Sequence, residues 1–358
     1  MRLIEKVWFQ KHSAKWLLVP ILLPLTCLFW LLSGLRRLCY KLKFFKSYKV
    51  NKPVIVVGNI GIGGNGKTPV VVCLVEQAKK IGFKPGVISR GYGGTPPEQP
   101  YLLSASSTSI QAGDEPVLIY NRCKVPVAVG SNRIDNANLL IEQGCDLIIS
   151  DDGLQHYRLQ RDLEIIVIDG KRFFGNGLLL PAGPLREGTW RLSDVDLLII
   201  NGGESQVVNA KLGSFEKLLM MKLLATEICH VKSGKLISVA EFLANESLFK
   251  QISNDTVNVK AVNAIAGIGA PQRFFDTLKQ LGFGINLQKG FVDHQDFVEK
   301  DFEQFSSELP LLMTEKDAVK CTAFAQEHWW YLPVEASFSS KEETQLISML
   351  SNLKCRKA

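Results

Sequence analysis

The sequence predicts an α/β protein: a mostly parallel sheet with helices on both faces, a second and smaller α/β domain, and an apolar helical segment at the N-terminus. Three observations predict this. Val54–Val57 is a β-branched run that meets a glycine-rich turn and then an apolar stretch of helical length. From about residue 261 a strand, turn and helix pattern starts afresh. Trp16–Leu35 runs for twenty residues without a charge. The expected boundaries are a basic, apolar segment at 1–50, a nucleotide-binding domain at 51–225, a linker at 226–260 and the smaller domain at 261–358. With 46% hydrophobic and 22% charged residues, the 358-residue chain can build a packed core, and a disordered chain is excluded. Its eight cysteines form no CxxC pair and no two of its five histidines stand at metal-ligand spacing, which excludes a disulfide scaffold and a zinc module.

The uncharged run would make a helix of about 30 Å, long enough to cross a hydrocarbon core. Pro20 and Pro24 interrupt it, and bases flank both ends: Lys11 and Lys15 before, Arg36, Arg37, Lys41, Lys43 and Lys46 after. A buried core helix is the ordinary explanation. Length, Trp8, Trp16, Trp30 and the basic flanks favour membrane attachment on the cytoplasmic face. The prolines and symmetric flanks tilt the choice between spanning and interfacial insertion towards the interface. Residues 1–52 hold eleven Lys or Arg against one acid, leaving the rest of a chain of net charge +7 slightly acidic. A basic body for nucleic acid is therefore not expected.

Gly61-Ile62-Gly63-Gly64-Asn65-Gly66-Lys67-Thr68 matches GxxxxGK[ST] in full, between strand and helix. Its glycines let backbone N–H groups face phosphate oxygens at a helix N-terminus. Lys67 should reach the β- and γ-phosphates of ATP, and the Thr68 hydroxyl should ligate Mg²⁺. The predicted architecture is thus a P-loop NTPase-type parallel sheet. No GTPase base-reading motif stands in place, since Thr314-Glu315-Lys316-Asp317 has its lysine one position late. No ABC signature is present either, and a small-molecule or lipid kinase is left by elimination.

The remaining motifs follow in chain order. Arg90 and Tyr92, on the turn after Pro85, are either a solvated turn or contacts to a substrate phosphate and a sugar or acyl chain. Asp114 and Glu115 either cap a helix or supply a base and a metal ligand. Asp151 and Asp152 end the apolar strand Leu147–Ile149, where carboxylates hold Mg²⁺ and orient an acceptor. Gln155 and His156 beside them fit a loop amide and a structural histidine equally well. Arg186 and Glu187 close a Gly/Pro-rich loop of the kind that positions phosphates or joins elements. In the second domain, Asp293-His294 lies in a loop, and His294 alone reads as structural.

Taken in order, GNIGIGGNGKTP, SRGYGG, AGDEP, SDDGLQH, PAGPLRE, AGIGAPQRFF, DHQDF and TEKDAVK resemble the tetraacyldisaccharide 4′-kinases, the lipid A 4′-kinases of Gram-negative bacteria, over most of the chain. The resemblance implies transfer of the ATP γ-phosphate to the 4′-hydroxyl of a tetraacylated disaccharide 1-phosphate at the cytoplasmic face of the inner membrane. It implies two α/β/α domains with ATP in the cleft, a membrane-embedded glycolipid as substrate and no obligate protein partner. By position, Asp114 becomes the base with His294 as partner, and Glu115 a metal contact. Asp151 and Asp152 serve metal and acceptor beside Gln155 and His156. Arg90 and Tyr92 face the lipid, and Arg186 and Glu187 the phosphates. Ile62 stands where deviant phosphate loops carry a signature lysine, which leaves charge neutralisation to Lys67, Mg²⁺ and Arg186. Two competing readings are a membrane-tethered ATPase acting as a switch or assembly factor, and a soluble small-molecule kinase. The second leaves the apolar N-terminus unexplained.

Overall fold

A computed structural model describes residues 3–10, 12–212, 215, 217–249 and 260–355. Among them the strands are β1 (Val54–Gly58), β2 (Pro85–Ser89), β3 (Tyr101–Leu102), β4 (Val127–Val129), β5 (Leu147–Asp151), β6 (Leu163–Asp169), β7 (Leu197–Asn201), β8 (Leu218–Leu224), β9 (Glu227–His230), β10 (Leu236–Ser238), β11 (Lys260–Ala266), β12 (Phe283–Gly290), β13 (Leu311–Thr314), β14 (Trp329–Leu332) and β15 (Glu335–Ser337). The α-helices are α1 (Leu3–Phe9), α2 (Lys15–Lys41), α3 (Lys67–Lys80), α4 (Ser109–Ala112), α5 (Asp114–Cys123), α6 (Arg133–Glu142), α7 (Ser205–Leu212), α8 (Val239–Ala244), α9 (Pro271–Gln280), α10 (Glu315–Cys321) and α11 (Ser340–Cys355).

The first sheet runs β15-β8-β7-β6-β1-β5-β2-β4-β3. From β8 to β4 every pairing is parallel, and only the edge strands β3 and β15 are antiparallel. The central strands are buried along their whole length, which is why they read as unbroken apolar runs instead of alternating ones. Val70, Val71 and Leu74 of α3, Ile119 of α5 and Leu350 of α11 cover one face. Ala137 and Leu140 of α6 cover part of the other. The carboxyl ends of β1, β5, β6 and β7 therefore share one rim, the usual position for a ligand crevice in a parallel sheet.

The second sheet, β10-β9-β14-β13-β11-β12, is parallel from β14 to β12 and antiparallel at β9 and β10. Phe242, Phe274, Phe275 and Leu278 pack on one face, and Phe297, Phe302, Ala318 and Cys321 on the other.

Two expected boundaries need correction. Residues 227–244 are not a linker: β9, β10 and α8 belong to the second lobe, strands of four and three residues being too short to announce themselves. Of the expected linker, 250–259 lie outside the described residues. Nor does the second lobe run to the C-terminus, because β15 pairs with β8 and α11 packs on α3 in the first. The second lobe is thus an insertion, tied to the first at Ala225–Thr226 and again at Pro333–Val334.

The N-terminal helix α2 forms despite its two prolines, and is long and apolar enough to cross a membrane by length and composition. Only 6% of its most apolar window is buried. Midway along it, the Thr26 hydroxyl accepts from the Ala182 N–H at 3.0 Å. Near its C-terminal end the Arg37 guanidinium lies 3.5 Å from the centre of the Trp190 ring.

Candidate active site

The phosphate loop leaves β1 at Gly58 and enters α3 at Lys67. Gly66 caps the helix at φ +90°, and a Cβ there would stand 2.5 Å from Asn201 Nδ2, so both conformation and space require glycine. That amide donates to the Asn65 carbonyl at 3.1 Å, and the Ile62 N–H donates to the Pro184 carbonyl at 2.9 Å. The loop is thereby tethered on both sides.

Lys67 Nζ stands 3.0 Å from Asp152 Oδ1 and donates to Asn59 Oδ1 at 3.3 Å. Arg186 meets the same two residues: Asp152 at 3.0 and 3.1 Å, and Asn59 Oδ1. It also donates to Gln155 Oε1 at 3.4 Å. Burial pushes the Asp152 carboxyl up, but Lys67 and Arg186 outweigh it and hold the group far below the usual carboxylate range. Two cations beside the loop amides make an anion-binding nest.

Asp151 next to it behaves oppositely. It is fully buried, and neither carboxylate oxygen has a hydrogen-bond partner. Burial first, then the nearby charge of Glu115, pushes it up to about 7. Arg133 donates to its backbone carbonyl at 2.9 Å and, itself buried, is pushed down to about 10. An orphaned carboxylate flanked by Glu115 and Asp152 suits a hard divalent cation. Among the described residues no group of three His, Cys, Asp or Glu closes into a metal cage. Mg²⁺ needs none, since it keeps waters and takes one or two carboxylates plus substrate phosphates. Asp152 is engaged by its two cations, and Thr68 lies half-buried in the first turn of α3.

A second cluster joins the two lobes. His294 Nδ1 lies 3.2 Å from Asp114 Oδ2. Lys316 Nζ stands 3.0 Å from Asp293, 3.5 Å from Glu115 and 3.7 Å from Asp114, and 3.2 Å from His294 Nε2. Lys320 is 3.9 Å from Asp114. Burial pushes the Asp114 carboxyl up, yet His294, Lys316 and Lys320 together bring it below its ordinary value. The hydrogen bond to Asp114 pulls His294 up, against burial and Lys316. His294 takes a left-handed backbone, φ +62°, uncommon for a non-glycine residue and frequent at functional sites.

The SRGYGG turn reaches this cluster because its backbone packs on the segment before Asp114. A Cβ on Gly94 would meet Gly113 N at 2.5 Å, and one on Gly113 would meet the Tyr92 carbonyl at 2.7 Å. The exposed Tyr92 ring lies 5.0 Å from that of His294, centre to centre. From the second lobe, the Gly267–Ala270 turn sits on the phosphate loop, where a Cβ on Gly269 would come within 3.4 Å of Gly64 N. Arg273 clasps Asp169 across the lobes at 2.6 Å, and Arg172 donates to the Gly269 carbonyl at 3.4 Å.

Lys67, Asp152, Gln155 and Arg186 thus gather at one centre, and Asp114, Glu115, His294 and Tyr92 at another. Arg90 is exposed, with its charge felt at Arg133. His156 Nε2 lies 3.4 Å from the Ser131 carbonyl. Glu187 departs from expectation: in the protein interior its Oε1 accepts from the Tyr157 hydroxyl at 2.8 Å, and its Oε2, which accepts no hydrogen bond, lies 3.2 Å from Arg191 Nε as an ion pair. It is buried away from the phosphate loop and anchors the segment that carries Arg186. Asn59, Arg133, Asp293 and Lys316 are additions. A polar Asn59 directly after an apolar strand, and Lys316 within TEKD, were the available signals.

The family model described as "Tetraacyldisaccharide-1-P 4'-kinase" matches residues 18–353. The chain is 60% identical to the tetraacyldisaccharide 4′-kinase of Colwellia psychrerythraea, over 97% of this chain and 96% of that protein. It is 45% identical to the enzyme of the same name from Tolumonas auensis, over 98% of each. Its structure is similar to the crystal structure of the "apo" form of LpxK from Aquifex aeolicus in complex with ATP. That match has a TM-score of 0.70 and 27% identity, and covers 93% of this chain and 99% of the other.

Proposed function

The chain belongs to the tetraacyldisaccharide-1-P 4′-kinase family, and from that premise we propose how its residues carry the reaction. The protein is an ATP-dependent phosphotransferase with an alcohol acceptor, the 4′-hydroxyl of a tetraacyldisaccharide 1-phosphate, in lipid A biosynthesis. Family membership does not favour the switch-ATPase alternative. The observation that carries the assignment of roles is the Asp114–His294 contact, made between lobes and beside a complete phosphate loop.

Phosphoryl transfer asks a protein chiefly for positioning and charge stabilisation. The loop amides and Lys67 hold the triphosphate. Lys67 and Arg186, already converging on Asp152, neutralise the charge that spreads over the transferring group. Asp114, kept ionised by its cationic neighbours, accepts the proton of the sugar hydroxyl, and His294 orients that carboxylate through Nδ1–H. Mg²⁺, held by Asp151 with Glu115 and Thr68 nearby, would supply further charge at the β- and γ-phosphates. The second lobe, seated on Gly63–Gly64, excludes water that would otherwise consume ATP. Tyr92 and Arg90 face the acceptor at the open side of this centre.

Access of a lipid follows from the loop at 176–190. It carries Arg186 at one end and receives α2 through Ala182 and Trp190. We therefore place α2 in the cytoplasmic leaflet of the inner membrane, beside the glycolipid.

The test is transfer of label from ATP to tetraacyldisaccharide 1-phosphate in mixed micelles. Asp114→Ala should lower kcat by roughly 10²–10⁴-fold with little change in KM for ATP. A variant that lost only ATP affinity would make Asp114 a binding residue instead.

A further inference from the structure

Arg172 follows directly after β6, and its guanidinium reaches the tip of the phosphate loop: a Cβ on Gly63 would come within 3.8 Å of Arg172 Nη1. We propose that Arg172 is a catalytic residue, an arginine finger supplied by the chain itself, which meets the γ-phosphate beside Gly63 and takes up the charge that develops during transfer. This rests on the reading of Gly61–Thr68 as the loop that holds the triphosphate of ATP.

Topology brings the side chain there. β6 pairs in parallel with β1, so the turn after β6 and the phosphate loop after β1 leave the same rim side by side. Asp169 fixes that turn, accepting the N–H of Lys171 at 2.9 Å and that of Arg172 at 3.0 Å. The half-buried guanidinium is then held on two sides. The Phe9 ring of α1 lies 5.1 Å from Arg172 Cζ, and Nη2 donates to the Gly269 carbonyl at 3.4 Å. Gly269 itself packs on the loop, since a Cβ there would stand 3.4 Å from Gly64 N and 4.0 Å from Gly63 Cα. Arg172 is thus clamped between α1 and the turn of the second lobe, with Gly63 before it.

Charge sets it apart from the cations around the loop. Lys67 and Arg186 each stand 3.0 Å from Asp152, and Arg273 is spent on Asp169 at 2.6 Å. Among the described residues Arg172 makes no ion pair, and of the five N–H donors of a guanidinium only one, on Nη2, meets an acceptor. Asp169 and Glu5 act on it from further off, against burial and the charge of Arg273. Such a cation is poised for an incoming anion. In the reaction the bond from the γ-phosphorus to the β–γ bridging oxygen breaks and ADP keeps the electron pair. A bond to the 4′-oxygen forms, and the hydroxyl proton passes to a base of the site. Negative charge moves towards ADP and over the equatorial oxygens, where a planar donor already in place is most effective. Ile62 offers none at the position of a signature lysine, and Arg172 supplies it from the neighbouring turn.

The test uses the full-length enzyme in mixed micelles carrying tetraacyldisaccharide 1-phosphate, with Arg172→Ala, Arg172→Lys and Lys67→Ala. For Arg172→Ala, kcat should fall on the order of a thousandfold while KM for ATP stays within about threefold. Arg172→Lys keeps the charge and a stem to pack on Phe9, so it should fold as the wild type does and remain roughly a hundredfold slow for want of the planar fork. Calorimetry separates the transition state from the ground state. The wild type should bind MgADP with aluminium fluoride about a hundredfold or more tighter than the magnesium complex of the β,γ-imido analogue of ATP. Both Arg172 variants should lose that preference and keep their affinity for the analogue. The proposal is overturned if either variant keeps kcat within about threefold, or if both ligands weaken equally, which would make Arg172 a ground-state or packing contact. A Lys67→Ala enzyme that turned over normally would sink the phosphate-loop reading and this proposal with it, whereas failure of Arg172 alone leaves that reading standing.

Discussion

Asp151 and Asp152 are neighbours in sequence with opposite electrostatics. Asp152 turns outward through a left-handed backbone, φ +47°, onto Lys67 and Arg186, while Asp151 stays at the buried end of β5 with no donor. A difference this local is invisible in the string DD, because it depends on partners set by the fold. The same holds for Arg186 and Glu187, where one side chain faces the phosphate loop and the next faces the interior. The roles separate by experiment. Glu187→Ala should cost about 1–3 kcal/mol in denaturant unfolding, because Tyr157 loses a buried acceptor and Arg191 an ion-pair partner. KM for ATP should change little. A large rise in KM with unchanged stability would return Glu187 to the nucleotide.

At the scale of elements, what could be read from sequence was what is local. The strand, glycine loop and helix around Lys67, the strand before Asp151 and the proline-opened α9 each carry their signal within about ten residues. Lys316 did not, because its partners Glu115 and Asp293 lie 201 and 23 positions away, and nothing near TEKD marks a cation aimed at a distant helix. The short strands β9, β10 and β15 were missed since three or four residues cannot display a period. The helix α2 was legible from apolar length alone, and its surface defines a measurement. Leu17, Ile21 and Leu28 are all more than half exposed, so replacing the three by serine should leave the melting temperature unchanged. Binding to anionic vesicles should weaken on the order of a thousandfold or more, at about 1.5–3 kcal/mol of transfer energy per side chain. Unaltered vesicle binding would place the membrane contact elsewhere.

At the scale of the whole molecule, the lobes are held by a few charged contacts, with Arg273 on Asp169 prominent among them. Burial pushes the Asp169 carboxyl up, but the hydrogen bonds from Arg273 and the Arg172 N–H bring it below the ordinary value. For a depressed acid, the stabilisation is complete above the unfolded value near 3.8 and is lost as pH falls through the folded one. Arg273→Ala should therefore unfold about 1–3 kcal/mol more easily than wild type from pH 8 to 5, with the gap closing in stronger acid. A gap that persisted in acid would mean that Arg273 acts through packing.

The return of the chain to its first sheet bears on how the protein is made. A ribosome releases the complete phosphate-binding motif early, but α3 gains its cover from Leu346 and Leu350 only when the final helix emerges. A nascent chain stopped before that helix would carry a full nucleotide signature on an unfinished scaffold.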